Sequence, residues 1–159
     1  MGIEAQDSAE VSRQVQAPVE AVWAVLCDGW LYATWVVGAS RIREVDDAWP
    51  GQASQIHHSA GVWPALLNDT SQVLRVRPLE ELVLKARGWP IGEAHVFLTL
   101  EPISAQACIV RMREDAVAGP GKLVPKPVRQ ALLVPRNRES LARLALLAEG
   151  RHRQSITPG

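Results

Sequence analysis

Two histidines, two carboxylates and a set of tryptophans carry whatever chemistry this chain does on a small molecule. His57 and His58 are adjacent in a run that reads as a strand, so they point to opposite faces. With the apolar Ile56 turned inward, His58 turns inward too. An imidazole on a cavity wall orients a ligand carbonyl or hydroxyl; the plainer alternative is a surface or hydrogen-bonded strand histidine. Glu114 falls in phase with Cys108, Val110 and Met112, which aims it inward. A carboxyl in an apolar pocket has its pKa raised and can serve as general acid or base. The alternative is an ion pair or a strand-end carboxylate touching water. Asp69 carries the same two readings. Arg111 and Arg113 flank Glu114 in sequence and belong on the other face.

The six tryptophans stand against one Tyr and one Phe. Trp23 lies on the apolar stripe of a helix and reads as core. Trp35, Trp63 and Trp89 fall near element ends beside Gly or Pro, where flat rings either pack or stack on an aromatic ligand. Other chemistry lacks its signature. The four histidines show no metal-ligand spacing and no cysteine pair accompanies them, so no metal site is expected. There is no GxSxG, and neither cysteine has a basic neighbour to activate it. Gly119-Pro120-Gly121-Lys122 is too short for a phosphate loop, and the absence of GxGxxG implies no nicotinamide or flavin cofactor.

The elements that must position these residues follow from pattern. A first strand spans Val11, Arg13 and Val15. Pro18 then opens a helix over 18–27, with Val19, Val22, Trp23 and Leu26 on one stripe. Residues 30–37 fit a short helix or a strand, with helix favoured. Six strand runs follow, 39–45, 53–59, 66–76, 81–87, 93–101 and 107–116, separated by Gly and Pro turn signals. Short connections force antiparallel neighbours. Ala94, Val96, Leu98 and Leu100 alternate with His95, Phe97, Thr99 and Glu101, so one face of the sheet is covered. The end returns to helix from Pro127. Pro135 should kink or restart it, and Glu149-Gly150 should close it. Arg136, Arg138 and Arg143 are assigned to its solvated side, with Leu141 and Leu144 facing the sheet.

At 159 residues and 47% apolar, the chain suits one folded domain over 9–150, with a loosely attached start at 1–8 and a frayed tail at 151–159. Neither a secretory signal nor a membrane span is visible, and Cys27 and Cys108 read as buried free thiols, so a cytoplasmic location is expected. The formal net charge of zero gives no case for nucleic-acid binding. It is unevenly spread: residues 1–119 hold 9 basic and 15 acidic side chains, residues 120–159 hold 8 basic and 2 acidic, so −6 faces +6. Either a basic helix lies on an acidic sheet, or the helix offers a basic face to an anionic ligand, membrane surface or partner.

Several local patterns in this order resemble the START-like superfamily, also called the Bet v 1-like or polyketide cyclase/dehydrase group. They are Val15–Leu26 (VQAPVEAVWAVL), the His57-His58 pair before Gly61-Val62-Trp63-Pro64, Glu114 before Gly119-Pro120, and Arg136-Asn137-Arg138-Glu139-Ser140-Leu141 running on to Leu144 and Glu149. The resemblance implies an α+β helix-grip fold: a bent seven-stranded antiparallel sheet around a long C-terminal helix, two short helices after the first strand, and a largely apolar cavity between sheet and helix. It places Trp35, Trp63, Leu67 and Leu84 on the cavity wall, with Val96, Leu98, Val110 and Met112. Asp69 and Trp89 join the candidate ligand contacts, and His58 and Glu114 are the polar anchors. The function expected is binding of an apolar or aromatic, lipid- or polyketide-like molecule. The enzyme alternative is a polyketide cyclase or dehydratase, with Glu114 as base and His58 as donor. A third reading is an interaction module built on the basic helix, with a filled core. Oligomeric state stays open, a homodimer included.

Overall fold

The computed structural model describes residues 8–61, 64–88 and 92–157. Strand β1 (Val11–Val15) leads into helix α1 (Val19–Cys27), a single 3-10 turn at Gly29–Leu31, and the short helix α2 (Tyr32–Trp35). Six strands follow: β2 (Ala39–Val45), β3 (Gln55–Ala60), β4 (Leu67–Arg77), β5 (Glu81–Gly88), β6 (Gly92–Ser104) and β7 (Ala107–Ala118). The chain ends in α3 (Lys126–Ile156). All seven strands form one antiparallel sheet in the order β1-β7-β6-β5-β4-β3-β2. This is the α+β helix-grip architecture.

The inward rows of the sheet follow the alternation seen in sequence. On β7, Cys108, Val110, Met112 and Glu114 are all buried, as are Val96, Leu98 and Leu100 on β6. They pack with the α1 stripe Val19, Val22, Val25 and Leu26, and with Leu141, Leu144, Ala145 and Ala148 of α3, to make one core. The stretch 30–37 forms a 3-10 turn and a short helix up to Trp35 rather than a strand, and Tyr32, Trp35 and Val36 at helical spacing bury the same face.

The long helix departs from expectation twice. It continues through Pro135 without restarting there, although that residue has no N–H to give the Ala131 carbonyl. Contacts on both sides carry it across: Gln130 Nε2 donates to the Glu114 carbonyl at 3.0 Å, and Arg136 grips the Glu114 side chain. It also passes Gly150 and ends at Ile156, so residues 151–156 are helical rather than frayed. Arg151 pairs with Asp28 at 3.1 Å, and His152 Nε2 hydrogen-bonds Gln106 Oε1 at 2.9 Å, so tertiary contacts override the glycine stop. No helix among the described residues is long and apolar enough to cross a membrane.

Two glycines test this account of the backbone. Gly150 sits in helical backbone with nothing within 4 Å of where a Cβ would stand. Gly150→Ala is expected to stabilise by about 0.5–1 kcal/mol, which at this size raises Tm by roughly 1–4 °C. Gly92 has φ +101°, and its Cβ would run into the Ala118 carbonyl oxygen, so Gly92→Ala is expected to lower Tm instead. Thermal unfolding followed by circular dichroism compares the two.

Candidate functional site

A cavity opens because one row of inward residues is small. Ser71, Ala86 and Ala94 lie opposite one another across β4, β5 and β6, and Ala60 ends the inward row of β3. Facing them, α3 offers Leu132 and Leu133 but no fully buried residue before Asn137. The helix therefore lies on the sheet along its later turns and stands off it along its first ones. The space left is about 310 Å³, and its lining also includes Tyr32 of α2, Val36 and Gly38 of the α2–β2 connection, His58, Arg87, Glu114 and Arg136. That is about ten times a water molecule's share of the liquid, enough for a one- or two-ring molecule.

Apart from Arg87, which is half exposed and paired with Glu93 at 2.9 Å, polar groups enter the lining in two sets. His58 Nε2 lies 3.1 Å from Ser71 Oγ, which in turn shares a 2.8 Å hydrogen bond with Tyr32 Oη. The Tyr32 ring stacks on the His58 ring, with centroids 5.6 Å apart and planes at 28°. Burial pushes the Tyr32 phenol up; Ser71 and Arg136 pull it down, and Glu114 pushes it up again. Burial also lowers the pKa of His58, so its imidazole is neutral near pH 7.

The second set is an ion pair. Glu114 is 3% exposed, and both its oxygens accept from Arg136 Nη1, at 2.8 and 2.9 Å. Arg136 Nε donates to the Val37 carbonyl at 2.9 Å, and Ser140 Oγ accepts from the Val37 N–H at 3.1 Å. Two side chains one turn apart on α3 thus hold both sides of the α2–β2 connection. Burial works against the guanidinium's charge, but Glu114 more than offsets it and the pKa of Arg136 is raised.

Of the residues singled out in sequence, His58 and Glu114 line the cavity together. Trp35, Leu84, Val96, Leu98, Val110 and Met112 are buried in the hydrophobic core and are not among its lining residues. Leu67 is 39% exposed at the start of β4, across from Ala60. Asp69 stands opposite His58 in the β3–β4 register and its charge acts on that imidazole, but it does not line the cavity. Trp63 and Trp89 lie outside the described residues. Arg136 corrects the helix assignment: it turns toward the sheet instead of the solvent, while Arg138 stays exposed and Arg143 pairs along the helix with Glu139 at 2.9 Å.

Sequence reasoning passed over Tyr32, Ser71 and Arg136. The signals were present. Arg136 precedes Ser140, Leu144 and Ala148 at successive four-residue steps, and those three are buried. Ser71 is in phase with Asp69 and Val73 on β4, and Tyr32 is the one tyrosine of the chain.

Two stability measurements follow from this geometry. Arg136→Met is expected to cost about 3 kcal/mol, because Glu114 stays buried and loses its partner, and adding Glu114→Gln should recover part of that loss. Urea unfolding of both singles and the double reads the coupling. For His58, the unfolded chain takes up a proton before the folded one, so stability falls as pH drops below about 6.5. His58→Gln should flatten that limb by up to about 1.4 kcal/mol per pH unit, measured by urea titrations between about pH 7 and 5.

Known proteins of the same architecture are distant in sequence. A protein from Nitrosomonas europaea superposes with a TM-score of 0.67 at 16% identity, over 94% of this chain and 98% of its own. The Zhui aromatase/cyclase from Streptomyces sp. R1128 gives 0.62 at 15% identity, covering 94% of each chain. A START superfamily protein from Mycobacterium smegmatis gives 0.63 at 16%, over 93% of this chain and 98% of that one. At such identities these likenesses speak for the fold alone. No curated protein matches the sequence. Residues 6–149, nearly the whole chain, match the family described as polyketide cyclase / dehydrase and lipid transport, and it is to this family that the chain belongs.

Proposed function

We propose that this protein binds a small, mostly apolar or aromatic molecule in the cavity between its sheet and α3. The observation that carries the reading is the cavity itself, about 310 Å³ of space kept open by small residues on four strands. Family and fold point the same way, toward hydrophobic ligands or cyclase-type chemistry. The volume sits at the low end of small-molecule sites, so the ligand is compact rather than a two-chain lipid. Cys27 and Cys108 are free thiols, which suits a cytoplasmic protein. The reading that makes α3 a basic docking face calls for a filled interior, and the cavity weighs against it.

The enzyme reading has one observation in its favour: two sets of polar groups converge on the same small space. Ring closure by an aldol-type step needs a proton removed beside a carbonyl and the resulting enolate oxygen stabilised. Glu114 has both oxygens occupied by Arg136, so to act as base it must first give up those bonds. The neutral imidazole of His58 is already basic. In this reading His58 takes the proton and Arg136 faces the developing charge, with Glu114 holding Arg136 in place.

Filling the space tests the binding reading. Ala86→Phe puts a ring into the cavity from β5. It is expected to abolish binding of 1-ethylnaphthalene in equilibrium dialysis while leaving the circular dichroism spectrum unchanged. Retained affinity would place the ligand elsewhere. For the enzyme reading, a cyclisation whose rate is unchanged in both His58→Ala and Glu114→Gln removes those two residues from the chemistry.

A further inference from the structure

Arg136 has five N–H groups in a rigid fork. Nε–H is spent on the Val37 carbonyl and Nη1 on the two oxygens of Glu114. Among the described residues, Nη2 makes no hydrogen bond. It lies beside Gly38, where a Cβ would stand 4.0 Å from it, and both residues line the cavity. Gly38 has φ +101°, so no side chain is readily placed there to cover that end of the guanidinium. A charged donor with no partner among the described residues, at the wall of a mostly apolar space, is a recognition group for an acceptor atom.

Its charge is not available in the same way. Glu114 is bound directly behind it, so the pair as a whole is neutral. Seen from the opposite wall, the two charges act on the Tyr32 hydroxyl in opposite senses. An anionic ligand would have to leave water for a pair that returns almost no net Coulomb attraction, and the one other cation of the described lining, Arg87, is half exposed and already paired with Glu93 at 2.9 Å. A neutral carbonyl oxygen loses far less hydration and still gains a charge-assisted hydrogen bond.

Building on the binding reading above, we propose that Arg136 Nη2 selects ligands bearing a neutral carbonyl-type acceptor, such as an aryl ketone, and that Glu114 sets this choice by cancelling the charge that would otherwise draw carboxylates. Glu114 is then a specificity-determining residue that acts through Arg136. The ligand lies with its oxygen at the Gly38 end and its apolar body against Ala86 and Ala94.

Three naphthalenes of nearly equal size test it: 1-acetonaphthone, 1-naphthoate and 1-ethylnaphthalene, each titrated by equilibrium dialysis near pH 7.5. The wild-type chain is expected to bind the ketone about tenfold tighter than the hydrocarbon, and tighter than the carboxylate by at least as much. In Glu114→Gln the naphthoate should gain about tenfold and close on the ketone or pass it. In the double variant Glu114→Gln, Arg136→Met, which leaves no buried charge unpaired, the ketone should lose its advantage over the hydrocarbon. Wild-type preference for naphthoate overturns the proposal. So does equal binding of ketone and hydrocarbon, which leaves the cavity-binding reading intact, and so does a ketone advantage that survives in the double variant. If none of the three binds the wild-type chain, the cavity-binding reading itself fails. The wild-type order decides without any variant having to fold.

Discussion

The contact on which the site depends is the pair between Glu114 on β7 and Arg136 on α3. A helix of 31 residues that packed flat along its whole length would close the space beneath it. Here the fully buried residues begin at Asn137, with only Val134 before it packed against the core, and the first turns bridge a gap. Exposed ion pairs contribute little. This one has a carboxylate 3% exposed, so separating the partners strands a buried charge, which is costly. Arg136 and Ser140 also fasten the two sides of the α2–β2 connection through Val37. Three elements therefore meet at a polar joint instead of an apolar one, and a polar joint fixes separation as well as contact, because its hydrogen bonds have preferred lengths. The cavity stays open beside a joint that cannot simply collapse.

The opposite wall obeys a different logic. Tyr32, Ser71 and His58 form a chain of neutral groups, each holding the next. Burial penalises charge on both of its ends, lowering the histidine and raising the phenol. The site thus pairs a wall that resists charge with a wall whose charges cancel. Both walls offer hydrogen-bonding groups, and neither of these two sets carries a net charge. Both proposed readings, binding of a neutral molecule and proton transfer within the cavity, draw on that arrangement.

The fold was legible in the sequence because its signals are periodic. The alternation at Ala94–Glu101 and the phase of Cys108, Val110, Met112 and Glu114 assign the right residues to the inward face, and the turn signals bound the strands to within a few residues. Local punctuation was less reliable: Pro135 and Gly150 both read as interruptions, and both are carried by contacts with distant residues. The site was half legible, for a related reason. His58 and Glu114 drew notice as polar residues in apolar phase. The apolar wall residues expected from the resemblance are mostly core, because a cavity is bounded by the side chains that fail to fill it. Ala60, Ser71, Ala86 and Ala94 mark the space by being small, which a search for large ligand-contacting side chains overlooks. Arg136 was missed because a charged residue on a helix is ordinarily assigned to solvent, and its four-residue spacing from Ser140 weighed less than its charge.

The uneven charge of the chain now has a structural account. Arg129 meets Asp115 at 3.0 Å, Arg136 meets Glu114 and Arg151 meets Asp28, so the basic C-terminal segment spends cations at three separate places along α3 on acids of the preceding body. Each place does a different job. Asp28 holds the last turns past Gly150, and Asp115 holds the first turns, where Arg129 also caps the Lys122 and Val124 carbonyls. Only the middle one is buried on its acidic side and open on its basic side to a cavity. Charge balance on the surface is a matter of solubility and modest stability. Balance within a cavity wall is a matter of selection, because it removes net attraction and leaves direction and hydrogen bonding to discriminate between ligands. The same pairing that attaches the helix is thus the one on which the proposed choice between ligand oxygens rests.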